Sequence, residues 1–161
     1  PACILKGDYA KGNCISIAVA TKEQIQDAGA RMIHLGKHTT SNIISKSIAS
    51  QGGNASYRGK VAIKKGAEYS KSSIKCDTIL FDEVSKSDTI PMNVVENDTS
   101  NINHEATVSK ISEEKLFYLM SRGLTMEKAK ELILMGFIDR FREELPMEYA
   151  VELNALLKNY F

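Results

Sequence analysis

His104 and Glu105 stand side by side in INHEATVSKI (residues 102–111), and Cys76 opens the apolar part of IKCDTILFDE (residues 74–83). A thiolate binds soft metals and accepts sulfur, and imidazole or carboxylate groups can complete a mixed set of ligands around a metal. Each residue also has a plainer explanation. Successive strand side chains alternate faces, so Ile102, His104, Ala106 and Val108 share one side while Asn103, Glu105, Thr107 and Ser109 share the other. On an apolar face a histidine is most simply a core residue with one hydrogen bond, and Glu105 is most simply a solvated carboxylate. Cysteine is among the most commonly buried residue types, which makes Cys76 a small core residue by default. Its neighbours Lys75 and Asp77 point to a strand end where a lysine could stabilise the thiolate. One cysteine cannot cage a thiolate-bound cluster, so any cluster here would borrow ligands from elsewhere.

The remaining polar motifs carry less. Cys3 and Cys14 lie in strand-like sequence and read as structural. His34 and His38 are four apart, but the intervening Gly36 argues against one helical face and so against a metal pair. The loops GKHTTSN and QGGNAS match neither phosphate-binding glycine pattern, and the chain holds no GxSxG or HExxH. An enzyme with a self-contained active site is poorly supported. With 21 basic and 20 acidic residues, net charge gives no reason to expect nucleic acid or an anionic membrane surface as partner. Three cysteines without a CxxC argue against a disulfide framework and favour a reducing compartment.

These residues are held by two kinds of sequence. At 161 residues, 43% hydrophobic and 25% charged, the chain has ordinary globular composition. Up to about Ile111 it is a succession of short apolar or alternating runs: ILKG, CISIAVA, RMIHLG, NIISKSIA, RGKVAIKKG, CDTILFDE, DTIPMNVVE and HEATVSKI. Rich in Ile, Val and Thr and bounded by glycine, all eight read as strands. Such a series fits a sandwich, a barrel or a β-solenoid, and no exact repeat decides among them.

Beyond Ile111 the period becomes helical. Ser112 caps a helix to about Arg122, with Glu113 and Glu114 in its first turn and Gly123 as its stop. Thr125 caps MEKAKELILMGFIDRFREEL, and Pro146 fits the first turn of a third helix. This gives two regions, 1–111 and 112–161. In the second helix Ala129, Leu132, Ile133, Gly136 and Phe137 form one apolar stripe, and Leu134, Ile138, Phe141 and Leu145 form another. A helix apolar on two sides is either sandwiched within its own protein or docked on a partner.

The runs HLGKHTTSNIISKSIASQGGNASYRGKVAI, KSSIKCDTIL, NHEATVSKISEEKLFYLMSRGLT and ELPMEYAVELNALL resemble the C-terminal part of the SufB branch of the SufB/SufD family, the scaffold of the SUF iron–sulfur cluster assembly system. The resemblance spans nearly the whole chain. It implies a mainly β fold with C-terminal α, a right-handed parallel β-helix followed by a small helical domain. It also implies a non-catalytic scaffold that binds a transient iron–sulfur cluster at a subunit interface, with SufD or a second SufB copy as the facing partner. A SufC ATPase would dock on the helical domain, here through Leu134, Phe137, Ile138 and Phe141, and would supply ATP hydrolysis. By the same resemblance Cys76 and Glu105 match residues implicated in holding the nascent cluster, and His104 adjoins them.

Strand alternation keeps His104 and Glu105 from facing one metal without a bulge, and Glu105 is the favoured ligand. The family's upstream rungs and sulfur-accepting cysteine are not in this sequence, which begins PACILKG, so the expectation is a piece whose N-terminal part lies elsewhere, in a cytoplasm or a plastid. The alternative function is an interaction module without cluster competence, like SufD. A carbohydrate-binding solenoid is disfavoured by the lack of Trp.

Overall fold

Parallel pairing of strands about thirty residues apart organises the first 110 residues of the chain. In the computed structural model, which describes residues 1–158, the strands are β1 (Ala2–Leu5), β2 (Lys11–Ala20), β3 (Ile25–His34), β4 (Thr40–Ala49), β5 (Asn54–Ile63), β6 (Lys71–Leu80), β7 (Lys86–Val95) and β8 (Asn101–Lys110). They form two sheets, ordered β1-β3-β5-β7 and β2-β4-β6-β8. Registers such as Ile25↔Asn54, Lys71↔Asn101 and Asn54↔Lys86 set successive rungs 29 to 32 residues apart. The chain visits each sheet once per turn, which makes a β-solenoid of about four turns and resolves the three architectures left open by the strand pattern.

Alternation drives this winding. In β4 and β6 every second side chain is buried, through Ser41, Ile43, Ser45 and Ser47 in one and Ser72, Ile74, Cys76 and Thr78 in the other. Met32, Ile43, Tyr57, Val61, Ile63, Ile74 and Cys76 form the main apolar cluster between the sheets. Beside it runs a buried polar row. His34 bonds Thr39 Oγ1 through Nδ1 at 2.7 Å and Ser41 Oγ through Nε2 at 2.9 Å, and Ser41 and Thr39 bond onward to Ser72 and Ser70. Along this row, hydroxyls on neighbouring rungs pair with one another, Thr39 with Ser70 and Ser41 with Ser72, and so have partners in the interior.

The corners repeat as faithfully as the strands. Tyr9, His38 and Tyr69 take the same left-handed backbone, φ 60°, 54° and 57°, and their rings stack at centroid distances of 4.9 and 5.1 Å. At another corner the backbone comes so close that a Cβ on Gly53 would lie against the Ala20 carbonyl.

The chain divides into two compact units, Pro1–Lys110 and Ile111–Phe161. The second holds α1 (Glu113–Ser121), α2 (Met126–Arg142) and α3 (Met147–Lys158). Ser112 and Thr125 act as N-caps, accepting from the backbone N–H of Lys115 and Lys128, each at 3.3 Å. Gly123, at φ 92°, follows the end of α1. The second helix ends at Arg142, short of Leu145, because the chain tightens there: Glu144 and Leu145 donate to the carbonyls of Phe141 and Arg142, three residues back.

Candidate functional site

Cys76 faces the interior from the middle of β6, and β8 lies beside it as the last strand of its sheet. The register sets Ala106 opposite Cys76 and His104 opposite Ile74, so His104 reaches the thiol diagonally. Its Nε2 lies 3.8 Å from Cys76 Sγ. Glu105 points to the other face of the same strand, where its Oε1 is 3.8 Å from Lys75 Nζ. The structure therefore brings Cys76 together with His104 and sets Glu105 apart from both. Because the β6–β8 register is an even number of residues, parity is kept between the two strands: even-numbered residues share the inner face and odd-numbered ones the outer.

The thiol is only 3% exposed. Burial first, and the charge of Asp77 second, push its pKa up to about 11. The sequence expectation that Lys75 would stabilise a thiolate is not met, because strand alternation turns Lys75 outward to Glu105. Lys46 is likewise engaged outside, 2.6 Å from Asp77. What faces Cys76 inside is the Ser45 position of β4, His104, and Tyr57 of the opposite sheet in the same apolar cluster. Ser45 and Tyr57 were not singled out by sequence reasoning. A rung length would have revealed Ser45 as the register partner of Cys76, whereas nothing local marks Tyr57.

The fourth rung differs from those before it. Among the described residues no strand pairs with the outer edges of β7 and β8, and Ala106, Val108 and Val95, which occupy inward positions, remain exposed. Ile90, Met92 and Val94 are exposed on the outward side of β7. The candidate site thus lies one rung in from the last strands of the solenoid, β7 and β8. Cys3 and Cys14 pack against the main apolar cluster, as a structural role requires. His38 stacks at a corner and His34 is buried, and among the described residues no group of three or more His, Cys, Asp or Glu is arranged to hold a metal.

In the helical unit Leu134 and Ile138 have no exposed surface, while Phe137 and Phe141 are half-buried. The apolar side chains that do reach solvent there include Phe117, Tyr118, Leu132, Met147 and Tyr149. Among the described residues no helix is long and apolar enough to cross a membrane.

Comparison with known proteins matches residues 1–137 to the family described as SUF system FeS cluster assembly, SufBD core domain. The iron-sulfur cluster assembly protein SufB of Bacillus subtilis (strain 168) is 59% identical over 158 residues, which is 98% of this chain and 34% of that protein. SufBD family proteins of Staphylococcus epidermidis and Staphylococcus aureus (strain USA300) are each 56% identical over the same shares. The chain spans about a third of the length of the curated relatives it matches. With a family match over most of its length and a four-turn parallel solenoid to accompany it, this chain belongs to the SufB/SufD family of the SUF iron–sulfur cluster assembly system.

Proposed function

We propose that the chain is part of a scaffold for iron–sulfur cluster assembly and holds a nascent cluster, as cargo, where its terminal rung meets a second β-solenoid. The observation that carries this reading is the inward pair of Cys76 and His104, 3.8 Å apart at the last strand of a sheet. Thiolate and imidazole are iron ligands, but a cluster in the usual sites takes about four protein ligands, so a facing subunit must supply the rest. The uncovered edges of β7 and β8 offer unpaired backbone donors and acceptors to such a partner, either SufD or a second copy of this chain. Glu105, on the outer face of β8, joins the ligand set from the partner's side rather than from the interior.

The helical unit is the docking element for a SufC ATPase, which hydrolyses ATP while this subunit performs no catalysis. Leu134 and Ile138 would support that surface from within, and Phe137, Phe141 and the exposed Phe117, Tyr118 and Leu132 would present it. The test uses the full-length protein with its partners, carrying Cys76→Ser, His104→Ala or Glu105→Ala. Cluster yield is read by absorbance after iron and sulfide loading, and assembly by size-exclusion chromatography. The expected outcome is a several-fold lower yield from each variant in an intact complex. Unchanged yield in all three defeats the reading.

One observation favours the second reading, an interaction module without cluster competence: the Cys76 thiol is buried and stays protonated at neutral pH. Under that reading the same variants lower complex formation or stability and leave cluster yield per complex unchanged.

A further inference from the structure

The outer face of the β1-β3-β5-β7 sheet carries a groove that the Cys76 site does not use. Met32 points inward from β3, and Tyr57 and Val61 point inward from β5. Alternation therefore turns Gly29 and Arg31 outward on the first strand and Arg58 and Lys60 outward on the second. Register sets Gly29 beside Arg58 and Arg31 beside Lys60, with Ile90 and Met92 of β7 next in the same two rows. All six residues line one cavity of about 400 Å³. That volume falls within the roughly 300–1,000 Å³ of small-molecule sites, which likewise combine apolar walls with a few charged groups. Here Gly29 contributes no side chain, and the exposed Ile90 and Met92 form an apolar wall.

The charges in the groove are not balanced. Arg58 Nε lies 3.0 and 2.8 Å from the two carboxylate oxygens of Asp27, so its charge is answered. Arg31 and Lys60 have no carboxylate partner among the described residues. Elsewhere neighbouring rungs set opposite charges together, as in Lys37–Glu68, Lys46–Asp77 and Lys64–Glu96. Arg31 and Lys60 break that habit. They are like charges directly opposite one another on adjacent strands, an arrangement that costs stability until an anion joins them.

We propose that this groove binds a small phosphate monoester with an apolar body, the phosphate held between Arg31 and Lys60 and the body lying against Ile90 and Met92. Two unanswered positive charges suit a dianion. A phosphate monoester, with its second pKa near about 6, carries close to two negative charges at neutral pH, whereas a carboxylate carries one. Guanidinium can grip two phosphate oxygens at once while the ammonium adds a point charge. The floor of the groove is a sheet face and not a sheet edge, so a strand paired beside β7 leaves it open. Nothing in this site depends on Cys76, and its failure leaves the scaffold reading untouched.

The test dialyses the full-length protein to equilibrium against 1-naphthyl phosphate at about pH 7.5, where the ester is a dianion. The same ring is offered as 1-naphthoate, a monoanion, and as uncharged 1-naphthol. Wild type is compared with Arg31→Gln and Lys60→Gln, and with Lys11→Gln as a control, an exposed lysine on β2 of the other sheet. The expected result is saturable binding of one naphthyl phosphate per chain, displaced by excess inorganic phosphate. Affinity should fall at least about fivefold in each groove variant and stay unchanged in Lys11→Gln. Removing either charge relieves the repulsion between the two, so the melting midpoint should hold or rise in both groove variants. Absence of saturable binding overturns the proposal. Equal affinity for naphthol shows an apolar patch only, and equal affinity for naphthoate shows that one charge suffices; either result overturns it. An equal loss in Lys11→Gln makes the effect one of overall charge, and a lowered midpoint in both groove variants means that the charges serve the fold. Each of these outcomes overturns it too.

Discussion

Replacing Glu105 by Gln removes one charge from the outer face of β8 and keeps the shape of the side chain. The cost to folding follows from its ion pair with Lys75. Lys75 and Glu105 are 3.8 Å apart, with side chains 50% and 60% exposed. Two unit charges at that distance attract by about 1 kcal/mol in water. Salt with a screening length of about 8 Å removes part of this, and fixing two long side chains removes more, so exposed pairs retain roughly 0.2–1 kcal/mol. Glu105→Gln should therefore cost less than about 1 kcal/mol, or about 2–4 °C in melting midpoint at most for a domain of this size. Urea unfolding of wild type and variant at the same ionic strength measures it, and cluster yield is measured on the same preparations. A loss above about 2 kcal/mol would show that the carboxylate holds the fold together and that the treatment of this pair as solvent-screened is wrong. A small loss with undiminished cluster yield would remove Glu105 from the ligand set.

Three further expectations concern the scaffold. Burial lowers the pKa of His34 below 6.5, so the unfolded chain binds the extra proton first: stability is complete above about pH 6.5 and declines as pH falls toward the folded-state value. Thermal melts across that range should show the decline, and His34→Gln should flatten it. Gly53→Ala would press a Cβ against the Ala20 carbonyl, which as backbone cannot move aside, and should cost about 1–3 kcal/mol in urea unfolding. Thr125→Ala deletes the acceptor for the Lys128 N–H, and about 1 kcal/mol of helix stability should go with it, seen as a lower midpoint by circular dichroism.

All eight strands were legible, because alternation is a local signal and each buried row, such as Ser72, Ile74, Cys76 and Thr78, is written within one short stretch. Their pairing was not. The column Ser16, Ser45, Cys76, Ala106 runs across four strands and shares only small size, so no repeat announces which residues neighbour one another. Family resemblance, not periodicity, pointed to the solenoid. The geometry of the site was hidden for the same reason. Cys76 and Glu105 differ by an odd number and Cys76 and His104 by an even one, but this means something only when the rung is known to span 30 residues from β6 to β8. In α2 both apolar stripes were readable, yet only packing decides that Leu134 and Ile138 are buried while Leu132 meets solvent.

On the scaffold reading, the burial of Cys76 and the uncovered rung beside it serve one purpose. A thiol raised to about 11 is a poor nucleophile and a poor ligand at neutral pH, and an isolated chain would leave it inert. Iron changes the balance, because a coordinating thiol gives up its proton outright and the metal's charge replaces the missing solvent. That exchange needs further ligands, which Cys76 and His104 do not provide alone and which a second solenoid against β7 and β8 would bring. Ligation and deprotonation would then occur in one step that requires the partner. The low reactivity of the lone thiol becomes a safeguard against stray metals rather than an objection to the site. Alkylation of Cys76 at neutral pH should accordingly be slow in the isolated chain compared with Cys3 and Cys14, which are less buried. In the partnered, iron-loaded complex Cys76 should be protected by coordination, and a chelator should return it to its slow intrinsic rate. Rapid alkylation of Cys76 in the free chain would show that its proton is lost without iron, and the coupling between partner, metal and thiol would fall.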